Sequence, residues 1–190
     1  MPASADVFHE GNVTSVIDPV HQEQVPALIW TRRLASKRHT TRLGHIIGHC
    51  VEGGDVIAIT GEVGVGKTVL VRGIAEGAGV DPLQVSSPTF TLIQVYRGRV
   101  PMVHVDVYRL NTPAEVQTIG LEEYWSQHTV VVIEWAEKIL PFLPSDRLDV
   151  LLESKGSCRR LATLRAYGPR SKQLLYRIQK QLSLGETATE

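Results

Sequence analysis

Apolar positions along this chain recur with two periods, and glycine, proline and aspartate mark the changes between them. Val56-Ile57-Ala58-Ile59 follows Gly53-Gly54 as an unbroken apolar run, which predicts a short strand buried on both faces. Thr129 to Ile133 is the most β-branched run in the sequence and predicts a second buried strand, ending in Glu134-Trp135. Val100 to Tyr108 alternates instead, with Val103, Val105 and Val107 on one side and His104, Asp106 and Tyr108 on the other. Joined through Arg97-Gly98-Arg99 to a strand ending at Tyr96, it predicts a hairpin. Its polar side reads either as the wet face of an antiparallel pair or as the wall of a site. Ala27 to Leu34 predicts a first strand, and Arg147 to Glu153 with Arg159 to Tyr167 predict a terminal hairpin.

Helical spacing separates these strands. Ser36 is placed to cap a helix reaching Cys50, with Leu43, Ile46 and Ile47 on its apolar face. Thr68 to Ala75 carries Leu70 and Ile74 one turn apart, and Ser171 to Leu182 turns Leu174, Leu175 and Ile178 inward. Thr112-Pro113-Ala114-Glu115 combines a Thr cap, a first-turn Pro and a capping-box Glu, opening a short helix that ends at Gly120. The pattern predicts an α/β fold with a mostly parallel central sheet, antiparallel hairpins and flanking helices.

A chain of 190 residues supports one sizeable core, so we expect a single domain over residues 27–185. Residues 1–26 lack a sustained period and read as a loosely structured extension, and 186–190 as a flexible end. Two cysteines with no C-x-x-C suit a reducing compartment and argue against structural zinc. The first Lys or Arg is Arg32 and no apolar run is long enough to span a membrane, which predicts a cytoplasmic protein without membrane contact. The net charge of zero makes no global case for nucleic acid. Two stretches are nonetheless free of acids: Gln24 to Val51, with Arg32, Arg33, Lys37, Arg38 and Arg42, and Gly156 to Gly185, with Arg159, Arg160, Arg165, Arg170, Lys172, Arg177 and Lys180. Sharing a face, these cations would meet RNA or an acidic partner; scattered, they are solvated surface charge.

The candidate chemistry lies between the first buried strand and the helix after it. Gly61-Glu62-Val63-Gly64-Val65-Gly66-Lys67-Thr68 is the G-x-x-x-x-G-K-[ST] pattern of a P-loop, in the strand-to-helix context that the motif needs. Its glycines let backbone amides and the helix N-terminus converge on phosphates. Lys67 would reach the β and γ oxygens, and the Thr68 hydroxyl would hold Mg²⁺. An acid at the carboxyl end of a parallel strand, here Glu134, fits the second half of such a site, although Asp is the commoner residue. Trp135 reads as core or as a neighbour of the nucleotide.

Taken in order, Gly61 to Thr68 (GEVGVGKT), Ser87 to Leu92 (SPTFTL), His104 to Leu110 (HVDVYRL), Gly120 to Trp125 (GLEEYW) and Val132 to Trp135 (VIEW) resemble the TsaE (YjeE) ATPases of bacterial tRNA threonylcarbamoyladenosine synthesis. The resemblance implies a small ATPase using ATP and Mg²⁺. It would act with TsaD-type and TsaB-type proteins on adenosine 37 of tRNAs reading codons that begin with A, with tRNA contacted indirectly. It also implies that Thr89 belongs to a nucleotide-sensing switch, that Asp106 lies near the attacking water or metal, that Glu134 assists Mg²⁺, and that Trp135 lies beside the nucleotide. Glu in place of Asp at position 134 is this family's habit, whereas residues before Ala27 have no counterpart in its pattern. Two other classes use the same loop. A small-molecule kinase would need an Arg-rich lid, which the motifs do not supply; a nucleotide-dependent docking module would bind ATP with hydrolysis incidental. A GTPase reading lacks N-K-x-D and D-x-x-G.

Overall fold

The computed structural model describes residues 24–187. Seven strands form one mixed sheet: β1 (Leu28–Leu34), β2 (Val56–Gly61), β3 (Ile93–Tyr96), β4 (Met102–Asp106), β5 (Val130–Glu134), β6 (Leu148–Ser154) and β7 (Arg160–Ala166). Their order is β1-β7-β6-β2-β5-β4-β3. The four central strands β6, β2, β5 and β4 run parallel; β3 and β7 join them antiparallel through the expected hairpins, and β1 pairs antiparallel with β7 at the far edge. This is the P-loop NTPase-like α/β architecture expected from the pattern. Of the predicted extension at 1–26, only Gln24 to Pro26 fall within the described residues.

Helices α1 (Lys37–Cys50), α2 (Lys67–Gly77) and α4 (Pro169–Thr187) cover one face of the sheet. Leu43 and Ile47 of α1, Leu70 and Ile74 of α2 and Leu174, Leu175 and Ile178 of α4 close over Ile57, Ile59, Val130, Val132 and Val150 in one buried cluster. A second cluster on the other side joins Ala58, Val103, Val105, Val131 and Ile133 to Val116 of α3 (Pro113–Thr118) and to short 3-10 turns around Leu121, Ala136 and Ile139. Central strands buried on both sides need apolar residues at consecutive positions, which is why Val56–Ile59 and Val130–Ile133 show no alternation. Both predicted caps form: the Ser36 side chain accepts from His39 N, and Thr112 and Glu115 make a reciprocal capping box. Among the described residues, no helix is long and apolar enough to cross a membrane.

How α2 sits on α1 was not visible in the apolar pattern. Gly44 and Gly48 of α1 face Gly73 and Gly77 of α2, each pair spaced one turn apart. A Cβ on Gly44 would lie 2.3 Å from the Leu70 carbonyl oxygen, and one on Gly73 would lie 2.3 Å from that of Thr41. The obstacles are backbone atoms, so neither helix can yield by changing a rotamer. This glycine seam presses together the helix that begins at Lys67 and its neighbour. Gly44→Ala is therefore expected to cost about 1–3 kcal/mol, the usual range for overpacking, seen as a lowered denaturant midpoint with unchanged slope.

Candidate functional site

Strand register delivers the acids to one place. Ile59 of β2 pairs with Glu134 of β5, and Glu134 pairs with Asp106 of β4, so three parallel strands end level where the P-loop begins. The loop leaves β2 at Gly61 and turns through left-handed Gly64 (φ 75°) and Gly66 (φ 112°), conformations that favour glycine. Nothing lies within 4 Å of where a Cβ on Gly64 would stand, so the backbone there is open to approach.

Lys67 is buried, and its ammonium donates to the carbonyls of Gly61 (2.5 Å) and Glu62 (2.9 Å). It also lies 3.3 Å from the centre of the Trp135 ring, a cation–π contact. Burial pushes the Lys67 ammonium below the ordinary lysine range, and the charges of Glu137, Glu134 and Asp106 oppose that shift.

Thr68, the second residue of α2, donates to Glu134 Oε2 at 2.9 Å. The other Glu134 oxygen meets His104 Nε2 at 2.9 Å, inside the sheet–helix core. Asp106 is gripped separately: Thr89 donates to its Oδ2 at 2.8 Å, Ser87 bonds the same oxygen, and the Tyr108 amide donates to Oδ1 at 3.0 Å. Hydroxyls of the Ser87-Pro88-Thr89 segment thus hold the acid at the end of β4, through bonds that a rearranged segment would break.

Two non-glycine residues with positive φ flank this centre, Leu92 and Trp135, each at φ 63°. Bulky residues adopt that conformation only where their surroundings impose it, and such strain gathers at functional sites. At Trp135 it turns the chain directly after Glu134 and sets the indole against Tyr108, ring centres 4.9 Å apart. A cavity of about 490 Å³ lies among Gly64, Lys67, Thr68, Thr89, Asp106 and Glu134. A larger one of about 1070 Å³ adjoins it at Trp135, which lines both, but its inner wall is already paired, Arg147 to Asp149 at 2.9 Å. The smaller cavity has the P-loop backbone and the acids, and is the candidate site.

A family model described as threonylcarbamoyl adenosine biosynthesis protein TsaE matches residues 34–162, from the end of β1 into β7. The chain belongs to the TsaE family. It is 36% identical over 143 residues to the protein named tRNA threonylcarbamoyladenosine biosynthesis protein TsaE of Bacillus subtilis, a match covering 75% of this chain and 89% of that one. The similarly named protein of Nostoc is 43% identical over 124 residues, covering 63% and 75% respectively. The crystal structure of Bacillus subtilis YdiB superposes with a TM-score of 0.68 at 29% identity, covering 81% of this chain and 96% of that one.

Four of the five TsaE motifs converge: Lys67, Thr68, Thr89, Asp106, Glu134 and Trp135 all line the one cavity, with Val63, Gly64 and Gly66 of the loop, whereas Tyr124 and Trp125 of the GLEEYW motif line a separate one with Gly54 and Thr129. Gly61 and Glu62 face the adjoining cavity, and the buried Val65 packs into the core beneath the loop. Trp135, read as core or as a neighbour of the nucleotide, packs partly buried against the second core cluster and also lines the cavity. The wet-face reading of His104 is corrected: β4 lies between β3 and β5, both sheet faces are covered there, and His104 is fully buried. Sequence reasoning assigned it no role because its partner, Glu134, lies 30 residues away on another strand. The roles of Ser87 and His104 emerge only once the strands are in register.

His104 supplies the buried partner of one Glu134 oxygen. His104→Leu leaves that oxygen unsatisfied and is expected to cost about 1–3 kcal/mol, whereas His104→Gln, which keeps a donor, retains most of the stability in chemical denaturation. A second expectation concerns the Lys67–Trp135 contact: added MgATP is expected to draw the ammonium from the ring and shift the intrinsic tryptophan emission, and Trp135→Phe to abolish that shift although Trp30 and Trp125 remain.

Proposed function

We propose that this TsaE-family protein binds and hydrolyses ATP with Mg²⁺, as an accessory to threonylcarbamoylation of adenosine 37 in tRNAs reading codons that begin with A. Its partners in this reading are TsaD-type and TsaB-type proteins, which carry out the transfer, with tRNA engaged through that complex. The observation that carries the ATPase reading is the bond between Thr68, at the start of the P-loop helix, and Glu134, at the end of the adjacent parallel strand. The tRNA role follows from the relatives, named for threonylcarbamoyladenosine biosynthesis.

The residues fit a magnesium nucleotide. Thr68 and Glu134 offer a hydroxyl and a carboxylate, hard oxygen donors of the kind Mg²⁺ takes alongside phosphate and water. When bound, the cation would neutralise charge on the phosphate oxygens. Everything else falls to the chain's own groups. Loop amides and the α2 N-terminus receive the phosphates, and Lys67 exchanges the carbonyls of Gly61 and Glu62 for phosphate oxygens. Its desolvated ammonium interacts strongly with charge developing on the transferred group. His104 fixes one oxygen of Glu134, leaving the other to face Thr68. Asp106 orients the attacking water or accepts its proton once the Ser87 and Thr89 hydroxyls release it. Because that release, like the shift of Lys67, requires rearrangement, the isolated chain hydrolyses slowly and partners accelerate it.

The test is ATP hydrolysis by wild type, Lys67→Ala and Asp106→Asn, alone and with the partner proteins, scoring modified tRNA in the same tubes. Partners are expected to raise turnover, Lys67→Ala to lower it about 100-fold or more, and modification over many turnovers to fall with it. Modification that survives Lys67→Ala would favour the docking module. ATP consumed one-for-one with phosphorylation of a small hydroxyl compound would favour the kinase.

A further inference from the structure

The chain is neutral overall, yet the fold sorts its cations unevenly. Within the second acid-free stretch, Arg170 and Arg177 are committed to acids: Arg170 lies 2.8 Å from Asp55, and Arg177 lies 3.6 Å from Asp55 and 3.7 Å from Glu52. Arg33, Arg159 and Arg160 are placed differently. Arg33 near the end of β1, Lys155 in the β6–β7 turn and Arg159-Arg160 at the start of β7 line one cavity of about 840 Å³, together with Thr31 and Leu161. Among the described residues that line it there is no acid. Glu153 comes within 3.0 Å of Lys155, but both side chains are about half exposed, where such a pair is screened.

This cavity stands on the same rim of the sheet as the P-loop. Gly61 pairs with Leu152 of β6, and two residues further on Ser154 pairs with Arg160, which pairs in turn with Leu34. Arg160 physically joins the two places: its Nε donates to the Val65 carbonyl of the P-loop at 2.9 Å, and its Nη1 to the Cys158 carbonyl at 2.8 Å. Those bonds use two of the five N–H groups of a guanidinium.

We propose that this cavity is a binding site for the sugar–phosphate backbone of RNA, and that Arg160 couples its occupancy to the nucleotide loop. Four clustered cations, balanced only by the half-exposed Glu153 beside Lys155, repel one another, and a polyanion relieves that repulsion. Three of the four are arginines, whose planar fork matches phosphate. The remaining wall, Thr31, Leu34, Ala35 and Leu161, has no aromatic ring for stacking bases, so the site grips backbone without reading sequence. The choice of RNA over an acidic protein segment rests on the tRNA role proposed above, to which it adds a direct contact with the tRNA backbone beside the engagement through the complex.

The experiment is fluorescence anisotropy of the full chain with a labelled, unmodified tRNA transcript over a salt series. Arg33→Ala/Arg159→Ala is expected to bind more weakly and to flatten the slope of log affinity against log salt by about 2, with an unchanged melting temperature. Charge reversal by Arg159→Glu is expected to weaken binding further. Lys67→Ala, which disables the nucleotide site, is expected to bind RNA as wild type does, so failure here and failure of the ATPase reading are separable. A non-hydrolysable ATP analogue is expected to change wild-type RNA affinity, and Arg160→Lys, which keeps the charge but loses the bond to Val65, is expected to remove that change.

A wild type that does not bind RNA, or a double variant with unchanged affinity and slope, would overturn the site. Displacement of the transcript by polyglutamate as readily as by unlabelled RNA would overturn it in favour of an acidic protein ligand. RNA affinity indifferent to the ATP analogue would overturn the role given to Arg160.

Discussion

The hydrogen bond from Thr68 to Glu134 joins the two halves of this molecule's chemistry, and much of the fold serves to make it possible. Thr68 is fixed by where α2 begins, hence by the left-handed Gly66 before it and the strand that ends at Gly61. Glu134 is fixed by the length of β5 and by its register against β2. A one-residue slip of either parallel strand would turn Glu134 to the opposite face, away from the loop. The unbroken apolar runs of β2 and β5, buried on both sides, secure that register.

Placing charge at such a junction carries an energetic cost. Lys67, Asp106, Glu134 and His104 are all buried, and an unpaired ion there would cost several kcal/mol. Each instead has partners: Lys67 the loop carbonyls and the Trp135 face, Asp106 the hydroxyls of Ser87 and Thr89, Glu134 both Thr68 and His104. Several of these bonds run to groups that phosphate or water can replace, so the same contacts that stabilise the fold can be exchanged during function. Stability without such exchange comes from elsewhere. The glycine seam between α1 and α2 and the ion pair of Asp55 with Arg170 both lie away from the cavity.

Much of this was legible in the sequence because it is local. The P-loop, the caps at Ser36 and Thr112, the β-branched run of β5 and the alternation of β4 each depend on residues a few positions apart. The order of strands and the mates of buried polar groups depend on pairs far apart in the chain. His104 could therefore be read as wet face or as site wall until β4 was found in the sheet interior, and the apolar pattern gave no sign that Gly73 and Gly77 are contact surface against α1. The basic stretches show the same limit: spacing revealed their charge, and only the fold separated Arg170 and Arg177, neutralised by Asp55 and Glu52, from Arg33, Arg159 and Arg160, gathered in one cavity.

The most direct measurement is a double-mutant cycle on nucleotide affinity, using Thr68→Ala, Glu134→Gln and the pair, with and without Mg²⁺. If Thr68 and Glu134 form one magnesium–nucleotide site, each single variant weakens binding only when Mg²⁺ is present. The double variant then loses little more than either single one, a coupling of about 0.5–3 kcal/mol. Additive losses, or losses of equal size without Mg²⁺, would contradict that the ends of β2 and β5 act as one site.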